Sequence, residues 1–183
     1  VYTKLTIDEI TEITEKFSLG NLEQFTGIKE GIENTNYLIR TTKEKYILTI
    51  FEKRVNSKDL PFFMNLMHKL SKLKVKCPEP LKTINGKYSI RLKNKNACIV
   101  SFLKGKDKNI LTKKECYVVG KNIAKLHQAS KKIKLYRKNT LAVPKLKNLL
   151  YSINGGIDKV QKNILIDMKK EYNYLSKFWL TLF

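Results

Sequence analysis

The sequence predicts an α+β fold in which a five-stranded antiparallel sheet is followed by helices. Two observations predict it. Up to about residue 103, short apolar runs rich in Ile, Leu, Tyr and Phe are separated by polar turns, as in β-strands. From about residue 112 onward, apolar residues recur at helical spacing. The apolar content of 42% suits a folded core, and no run of about 18 apolar residues predicts a membrane span.

The first elements are a helix and three strands. Thr6-Ile7-Asp8-Glu9 has the pattern of a capping box, so we expect a helix over residues 7–17 that ends at Gly20. Three apolar runs with short turns between them then predict an antiparallel meander. The predicted strands cover residues 22–30, 35–41 and 45–51.

A second helix separates these strands from the rest of the sheet. Ser57 is its predicted N-cap and Pro61 falls in its first turn. Asn85-Gly86 predicts a tight hairpin between residues 81–84 and 87–92, and residues 97–103 read as a central buried strand. This layout, with one helix after the third strand, matches the five-stranded small lobe of a kinase-like fold.

The remaining chain is predicted to be helical. Thr112 and Glu115 form a second capping box, which opens a helix through about residue 129. Further helices are expected over residues 146–152 and 157–179. In the helix that follows Thr112, we expect one face to point inward. This face carries Cys116, Val119, Gly120, Ile123 and Leu126. We therefore predict a nucleotide-binding lobe over residues 1–102, and a hinge with the start of an incomplete helical lobe over residues 103–183.

The formal charge of +21 raises the possibility of nucleic-acid binding, but its distribution disfavours that function. Residues 43–138 carry 26 basic and 6 acidic side chains, and lysines far outnumber arginines. Sequence-specific readers of nucleic acid favour arginine. Three cysteines without CxxC spacing and two distant histidines predict reduced, mostly buried thiols, no zinc site and a cytoplasmic protein.

Several runs in this order resemble one family closely. They are GIENTNYLI, the block from Tyr46 to Leu66, KCPEP, ACIVSFLKG and VGKNIAKLH. Together they resemble bacterial homoserine kinases of the aminoglycoside-phosphotransferase-like type over essentially the whole chain. The resemblance implies a cytoplasmic enzyme of threonine biosynthesis that phosphorylates the hydroxyl of L-homoserine with ATP and Mg²⁺.

The resemblance also implies where the phosphates of ATP bind. The turn that holds Gly31, Asn34, Thr35 and Asn36 matches the loop that covers them, although it lacks a full GxGxxG. The third strand of kinase-like folds presents a cation to the phosphates. By alternation that position is Thr49. Lys53 or Arg54, just past the strand, could supply the cation instead, and two solvated charges are an equally good interpretation.

The hinge and the helix ends complete the implied site. Ser101, Phe102 and Leu103 match the hinge, where backbone groups pair with the edge of adenine. Asp59 has the ordinary role of a negative charge at a helix N-terminus. His127 is expected to be a structural residue of the first large-lobe helix rather than a catalytic base.

Phosphoryl transfer in this superfamily also uses an H-x-D-x-x-x-x-N segment, and neither His68 nor His127 begins one. We therefore expect a fragment that is inactive alone, with Mg²⁺ ligands outside residues 1–183. We also expect an exposed apolar face on the last helix, including Trp179 and Phe183, and possible self-association. Two alternatives stay open: another amino-alcohol kinase of the same fold, and a non-enzymatic basic binding module.

Overall fold

One antiparallel sheet with strand order β1-β2-β3-β5-β4 organises the first part of the protein. The computed structural model describes residues 2–29, 33–52, 55–139, 143–153 and 159–179. The α+β fold and the meander of the first three strands are confirmed. The strands are β1 (Leu22–Ile28), β2 (Asn34–Thr41), β3 (Lys45–Phe51), β4 (Ser89–Leu92) and β5 (Lys95–Ser101); the helices are α1 (Ile7–Lys16), α2 (Leu60–Lys72), α3 (Lys113–Ser130), α4 (Val143–Tyr151) and α5 (Lys159–Trp179).

Helix α1 begins as its sequence predicts, but the residue with left-handed φ just past its end is Ser18, at +54°, and not Gly20. The Thr6 hydroxyl accepts a hydrogen bond from the Glu9 N–H, and the Glu9 carboxylate accepts one from the Thr6 N–H, which completes the capping box. After the helix, Gly20 adopts a φ of +89°. A Cβ at that position would lie 2.7 Å from Thr42 Oγ1, so both the backbone angle and the space require glycine.

The core lies between α1 and one face of the sheet. Alternate residues of β2, β3 and β5 point toward it, as the period of two in a strand demands. Each large aliphatic side chain that is fully buried contributes roughly 1.5–3 kcal/mol relative to an exposed one. The buried cluster consists of Ile10, Ile13, Phe17, Leu19, Tyr37, Ile39, Tyr46, Leu48, Ile50, Ala97 and Ile99.

The start of α2 differs from the prediction. Ser57 is not its N-cap, because residues 57–59 form a short 3-10 turn and α2 begins only at Leu60. Asn56 caps that turn by accepting a hydrogen bond from the Lys58 N–H at 3.0 Å. The Ser57 hydroxyl instead accepts from Asn96 Nδ2 at 2.7 Å, which ties the turn to β5.

The hairpin predicted at Asn85-Gly86 is also wrong. Gly86 sits in a tight turn, where its N–H donates to Thr83 O, but residues 81–84 form no strand. The β-hairpin lies between β4 and β5, and its two-residue turn is Lys93-Asn94. Both turn residues have positive φ, 47° and 61°, which is the geometry of the tight turns that favour Asn and Gly.

The helical part confirms the predicted elements but not the predicted burial. The chain divides into two compact units, Val1–Tyr136 and Arg137–Phe183, so α3 is grouped with the sheet. Thr112 caps α3 with the expected capping box. The face predicted to point inward is exposed: Val119 and Ile123 keep 45% and 49% of their surface. The lobe boundary at residues 102/103 stays a prediction.

Helix α5 does expose apolar side chains, including Ile164 and Met168. The side chain of Trp179 and all of Phe183 lie outside the described residues. Within the described ranges, no helix is long and apolar enough to cross a membrane.

The three cysteines are all free thiols, as predicted, but only one of them is buried. Cys98 is buried on β5, Cys77 is half-buried and Cys116 is exposed on α3. The expectation of mostly buried thiols is therefore wrong. Cys116 lies on the same face of α3 as Val119 and Ile123, which also stay largely exposed.

Candidate functional site

The sheet face opposite α1 is half-buried and apolar at its centre. Leu38 on β2 is directly opposite Ile47 on β3, and Ile47 is directly opposite Val100 on β5. Directly opposite residues share a face, so these three side chains lie in one row across the sheet. Their partial exposure leaves a flat apolar surface suited to a planar ring.

A polar row crosses the same face one step further along the strands. Asn36 on β2 is opposite Thr49 on β3, and Thr49 is opposite Cys98 on β5. The Thr49 hydroxyl donates a hydrogen bond to Asn36 Oδ1 at 2.8 Å. This bond fixes the Asn36 amide so that its nitrogen, with two N–H donors, points away from Thr49.

Burial dominates the chemistry of Cys98, the third residue in this row. Removal from water raises the pKa of its thiol to about 12. Cys98 is therefore a neutral packing residue at physiological pH. The row presents hydrogen-bonding groups but no charge.

The hinge residues use most of their backbone donors inside the protein. The Ser101 N–H donates to Glu79 O at 2.8 Å, and the Glu79 N–H donates to the Ser101 hydroxyl at 2.9 Å. The Phe102 N–H donates to Lys45 O at 3.3 Å. Leu103 is therefore the first of the three predicted hinge residues whose N–H has no partner among the described residues, and its side chain is 48% exposed.

A depression of about 470 Å³ adjoins the hinge. It is lined by Glu44, Lys45, Phe102 and Lys104. The Lys45 ammonium lies 5.9 Å from the centre of the Phe102 ring, a cation–π distance. The predicted hinge end of the sheet therefore carries an aromatic ring with a lysine ammonium beside it.

Thr35 lies on the opposite face from Asn36 and its hydroxyl is fully engaged. It accepts hydrogen bonds from the N–H groups of Tyr2 and Thr3 at 2.9 and 3.0 Å, and it donates to Glu52 Oε1 at 2.6 Å. Thr35 is fully buried. Its side chain fastens the N-terminal segment to β2, which leaves only its backbone for a ligand.

Glu52 is the centre of this second cluster. Thr3 Oγ1 donates to Glu52 Oε1 at 2.7 Å, and the Lys95 ammonium contacts both Glu52 Oε2 and Thr3 Oγ1. Burial by itself would raise the pKa of Glu52. The hydrogen bonds from Lys95, Thr35 and Thr3 outweigh that effect and lower the pKa to about 2.

Sequence reasoning missed the Glu52 cluster, although a signal for it exists. Leu48 and Ile50 point into the core, so the alternation of β3 directs the next residue of that series, Glu52, to the same side. A carboxylate at an inward position requires hydrogen-bond partners. The partners, Lys95 and the N-terminal threonine, are distant in sequence and only the fold identifies them.

The positions of the other predicted site residues say less about a binding site. Gly31, Lys53 and Arg54 lie outside the described residues. Asn34 opens β2 opposite Phe51, at one end of the sheet. Asp59 occupies the residue before α2, consistent with a favourable charge at that helix end.

The histidine and the metal ligands complete the survey of predicted groups. His127 lies on an exposed part of α3 rather than in a packed interior. The described residues contain no group of three or more His, Cys, Asp or Glu side chains that could hold a metal ion.

Comparison with known proteins identifies a family. The model of the phosphotransferase enzyme family matches residues 24–149. Curated relatives include the homoserine kinases of Sinorhizobium medicae and Agrobacterium fabrum, which are 38% and 37% identical over 179 residues, or 98% of this chain. The chain spans 55–56% of the length of these relatives.

Solved structures show the same fold at low sequence identity. Spectinomycin phosphotransferase in complex with ADP and spectinomycin matches with a TM-score of 0.54 and 13% identity, covering 96% of this chain and 56% of that one. Its AMP-bound complex matches with a TM-score of 0.51 and 14% identity, covering 95% and 55%. On the match over most of its length, this chain belongs to the phosphotransferase enzyme family.

Proposed function

We propose that this chain is the nucleotide-binding lobe, with the first helices of the second lobe, of an ATP-dependent kinase of homoserine-kinase type. The observation that carries the proposal is the similarity to curated homoserine kinases along 98% of the chain, at 36–38% identity. The half-buried sheet face supports it, because its rows supply an apolar surface followed by hydrogen-bond donors.

The geometry suggests how a nucleotide lies on this face. The adenine ring would rest on Leu38, Ile47 and Val100, with its edge at the free N–H of Leu103. Thr49 is two residues beyond Ile47 along β3, which corresponds to roughly 7 Å at about 3.4 Å per residue. The phosphates would then lie beside Asn36.

The chemistry of the reaction would depend on groups beyond those described. ATP supplies the phosphoryl group, and L-homoserine would supply the accepting hydroxyl. No H-x-D-x-x-x-x-N segment occurs in residues 1–183, and no described cluster suits Mg²⁺. We therefore propose that this chain binds a nucleotide weakly and does not turn over by itself.

Calorimetric titration with ADP tests nucleotide binding, and Ile47→Ala tests where the nucleotide lies. Removing the central side chain of the apolar row should weaken both ADP and adenosine binding by about three- to tenfold, through lost apolar contact. Ile90→Ala is the matched control, because Ile90 is a half-buried strand residue that packs against the core on the other face. Equal weakening by both variants, or no ADP binding at all, would contradict the proposed site.

The substrate and the absence of turnover need a separate assay. A coupled assay of ADP release with L-homoserine should give no signal above that of the protein without homoserine. ATP-dependent phosphorylation of homoserine by the purified chain would disprove the proposed inactivity. Turnover of a different amino alcohol would favour the alternative kinase. A cytosolic location follows from the same resemblance and is part of the proposal.

A further inference from the structure

Among the described residues of the face that carries the nucleotide in the proposed function, none of the strand residues next to Asn36 and Thr49 is a cation. Among the described strand residues of this face, the nearest positive charge on β3 is Lys45, four residues before Thr49. Four residues of a strand span roughly 13 Å. Lys45 is also engaged at the hinge, beside the Phe102 ring.

Thr49 and Asn36 form a neutral pair at this point. Thr49 donates to Asn36 Oδ1 at 2.8 Å, and the two residues are directly opposite in the β2–β3 register. The acceptor of the amide is thereby occupied. Asn36 Nδ2 has no partner among the described residues, so both of its N–H donors remain free on a half-buried surface.

We propose that Asn36 is the phosphate-binding side chain of this site and that Thr49 positions it. This inference rests on the proposed nucleotide-binding function and assigns the donor within it. An amide oriented in this way offers N–H groups to phosphate oxygens without charge. Hydrogen bonds to a charged acceptor are about twice as strong as neutral ones, so one fixed amide provides a substantial contact.

The neutral pair has consequences that a lysine at position 49 would not have. The amide does not titrate, so any pH dependence of this contact should come from the phosphate and not from the protein. The pair also requires a defined rotamer, which the Thr49 hydroxyl supplies. Losing the hydroxyl should therefore weaken phosphate binding even though Thr49 itself need not touch the ligand.

The test compares ADP with adenosine, which lacks the phosphates. Asn36→Asp replaces the N–H donors with a carboxylate of the same shape and should lower ADP affinity by about tenfold or more, while adenosine affinity stays within about twofold. Thr49→Val removes only the positioning hydroxyl and should lower ADP affinity by about three- to tenfold with adenosine again unchanged. Asn85→Asp, at an exposed turn, and Thr11→Val, on α1 across the sheet from the nucleotide face, are the matched controls.

The outcomes separate the two proposals. In one outcome, the unsubstituted chain binds ADP, but Asn36→Asp lowers the affinities for ADP and adenosine equally or lowers neither. Asn36 then does not bind the phosphates, and the inference is wrong while the nucleotide site stands. If the unsubstituted chain binds no ADP, both proposals fail. Thermal melting of each variant distinguishes a folding defect from a loss of contact. Thr49→Lys is included as a second substitution at position 49.

Discussion

The Glu52 cluster makes a strong quantitative prediction, because its carboxylate is nearly buried and accepts three hydrogen bonds. The substitution is Glu52→Gln, which keeps the shape and removes the charge. The Glu52 side chain is only 9% exposed, whereas that of Lys95 is 34% exposed. Lys95 can therefore regain water after the substitution, but the network loses its charge-assisted contacts.

The magnitude follows from the pKa of Glu52, which falls from 4.5 to about 2 on folding. Each pKa unit corresponds to about 1.4 kcal/mol, so the ionised carboxylate stabilises the fold by about 3 kcal/mol at neutral pH. Glutamine keeps an acceptor for Thr3 and Thr35. We therefore expect Glu52→Gln to lower the free energy of unfolding by about 2 kcal/mol at pH 7.

The pH dependence has a definite sign. A carboxylate whose pKa is lower in the folded protein stabilises it fully above the unfolded pKa of 4.5, and this stabilisation is lost as the pH falls toward 2. The unsubstituted protein should therefore lose more stability between pH 5 and pH 3 than Glu52→Gln does. At pH 2 the two proteins should have nearly equal stability.

The measurement must report on the sheet. The single tryptophan, Trp179, belongs to the second compact unit and not to the sheet, so its fluorescence is not a direct probe of the sheet. Hydrogen exchange of the β2 and β3 amides provides the local free energy of unfolding. Glu12→Gln is the matched control, because its pair with Lys16 is exposed and should contribute less than about 1 kcal/mol.

Two results would refute this reasoning. One is a loss of stability in Glu52→Gln no larger than that in Glu12→Gln. The other is that Glu52→Gln loses as much stability between pH 5 and pH 3 as the unsubstituted protein does. Either would mean that the hydrogen bonds to Glu52 do not offset the cost of its burial.

Three further predictions concern the fold and its thiols. Gly20→Ala should destabilise the protein by about 1–2 kcal/mol in thermal melts, because of the positive φ and the close Thr42 hydroxyl, whereas Gly105→Ala, with open space around its Cβ, should change little. Thr6→Ala should cost about 1 kcal/mol by removing the cap of α1, and an unchanged melt would contradict that role. In thiol labelling at pH 8 followed by mass spectrometry, Cys116 should react first and Cys98 only on unfolding, since Cys98 is buried with a raised pKa; early labelling of Cys98 would show that β5 opens readily.

Local signals in the sequence predicted most of the sheet and its first helix correctly. The Thr6 capping box and the alternation of residues 45–51 depend on neighbours within a few positions, and both were confirmed. The hairpin was misplaced because Asn85-Gly86 is a good tight turn in any context. The actual hairpin turn at Lys93-Asn94 has weaker residues, and its positive φ values are stabilised by the pairing of β4 with β5.

Burial of α3 and the Glu52 cluster could not be derived in the same way. Periodicity shows that Val119 and Ile123 share a face, but it does not show whether anything covers that face. The partners of Glu52 lie 17 to 49 residues away along the chain. Contacts of that kind depend on strand order, which the sequence determines only through the packing of the whole sheet.

The Glu52 cluster and the Thr49–Asn36 pair contain neighbouring residues of β2, namely Thr35 and Asn36. Thr35 and Asn36 point to opposite faces of β2, so a slip of one residue in the β2–β3 register would exchange them. The buried bonds of Thr35 to Glu52 and to the N-terminal segment oppose such a slip. We therefore expect Thr35→Val to weaken ADP binding more than adenosine binding, through a less fixed Asn36, although Thr35 faces away from the nucleotide. Because Glu52→Gln keeps an acceptor for Thr35, it should change the ratio of the two affinities less than Thr35→Val does.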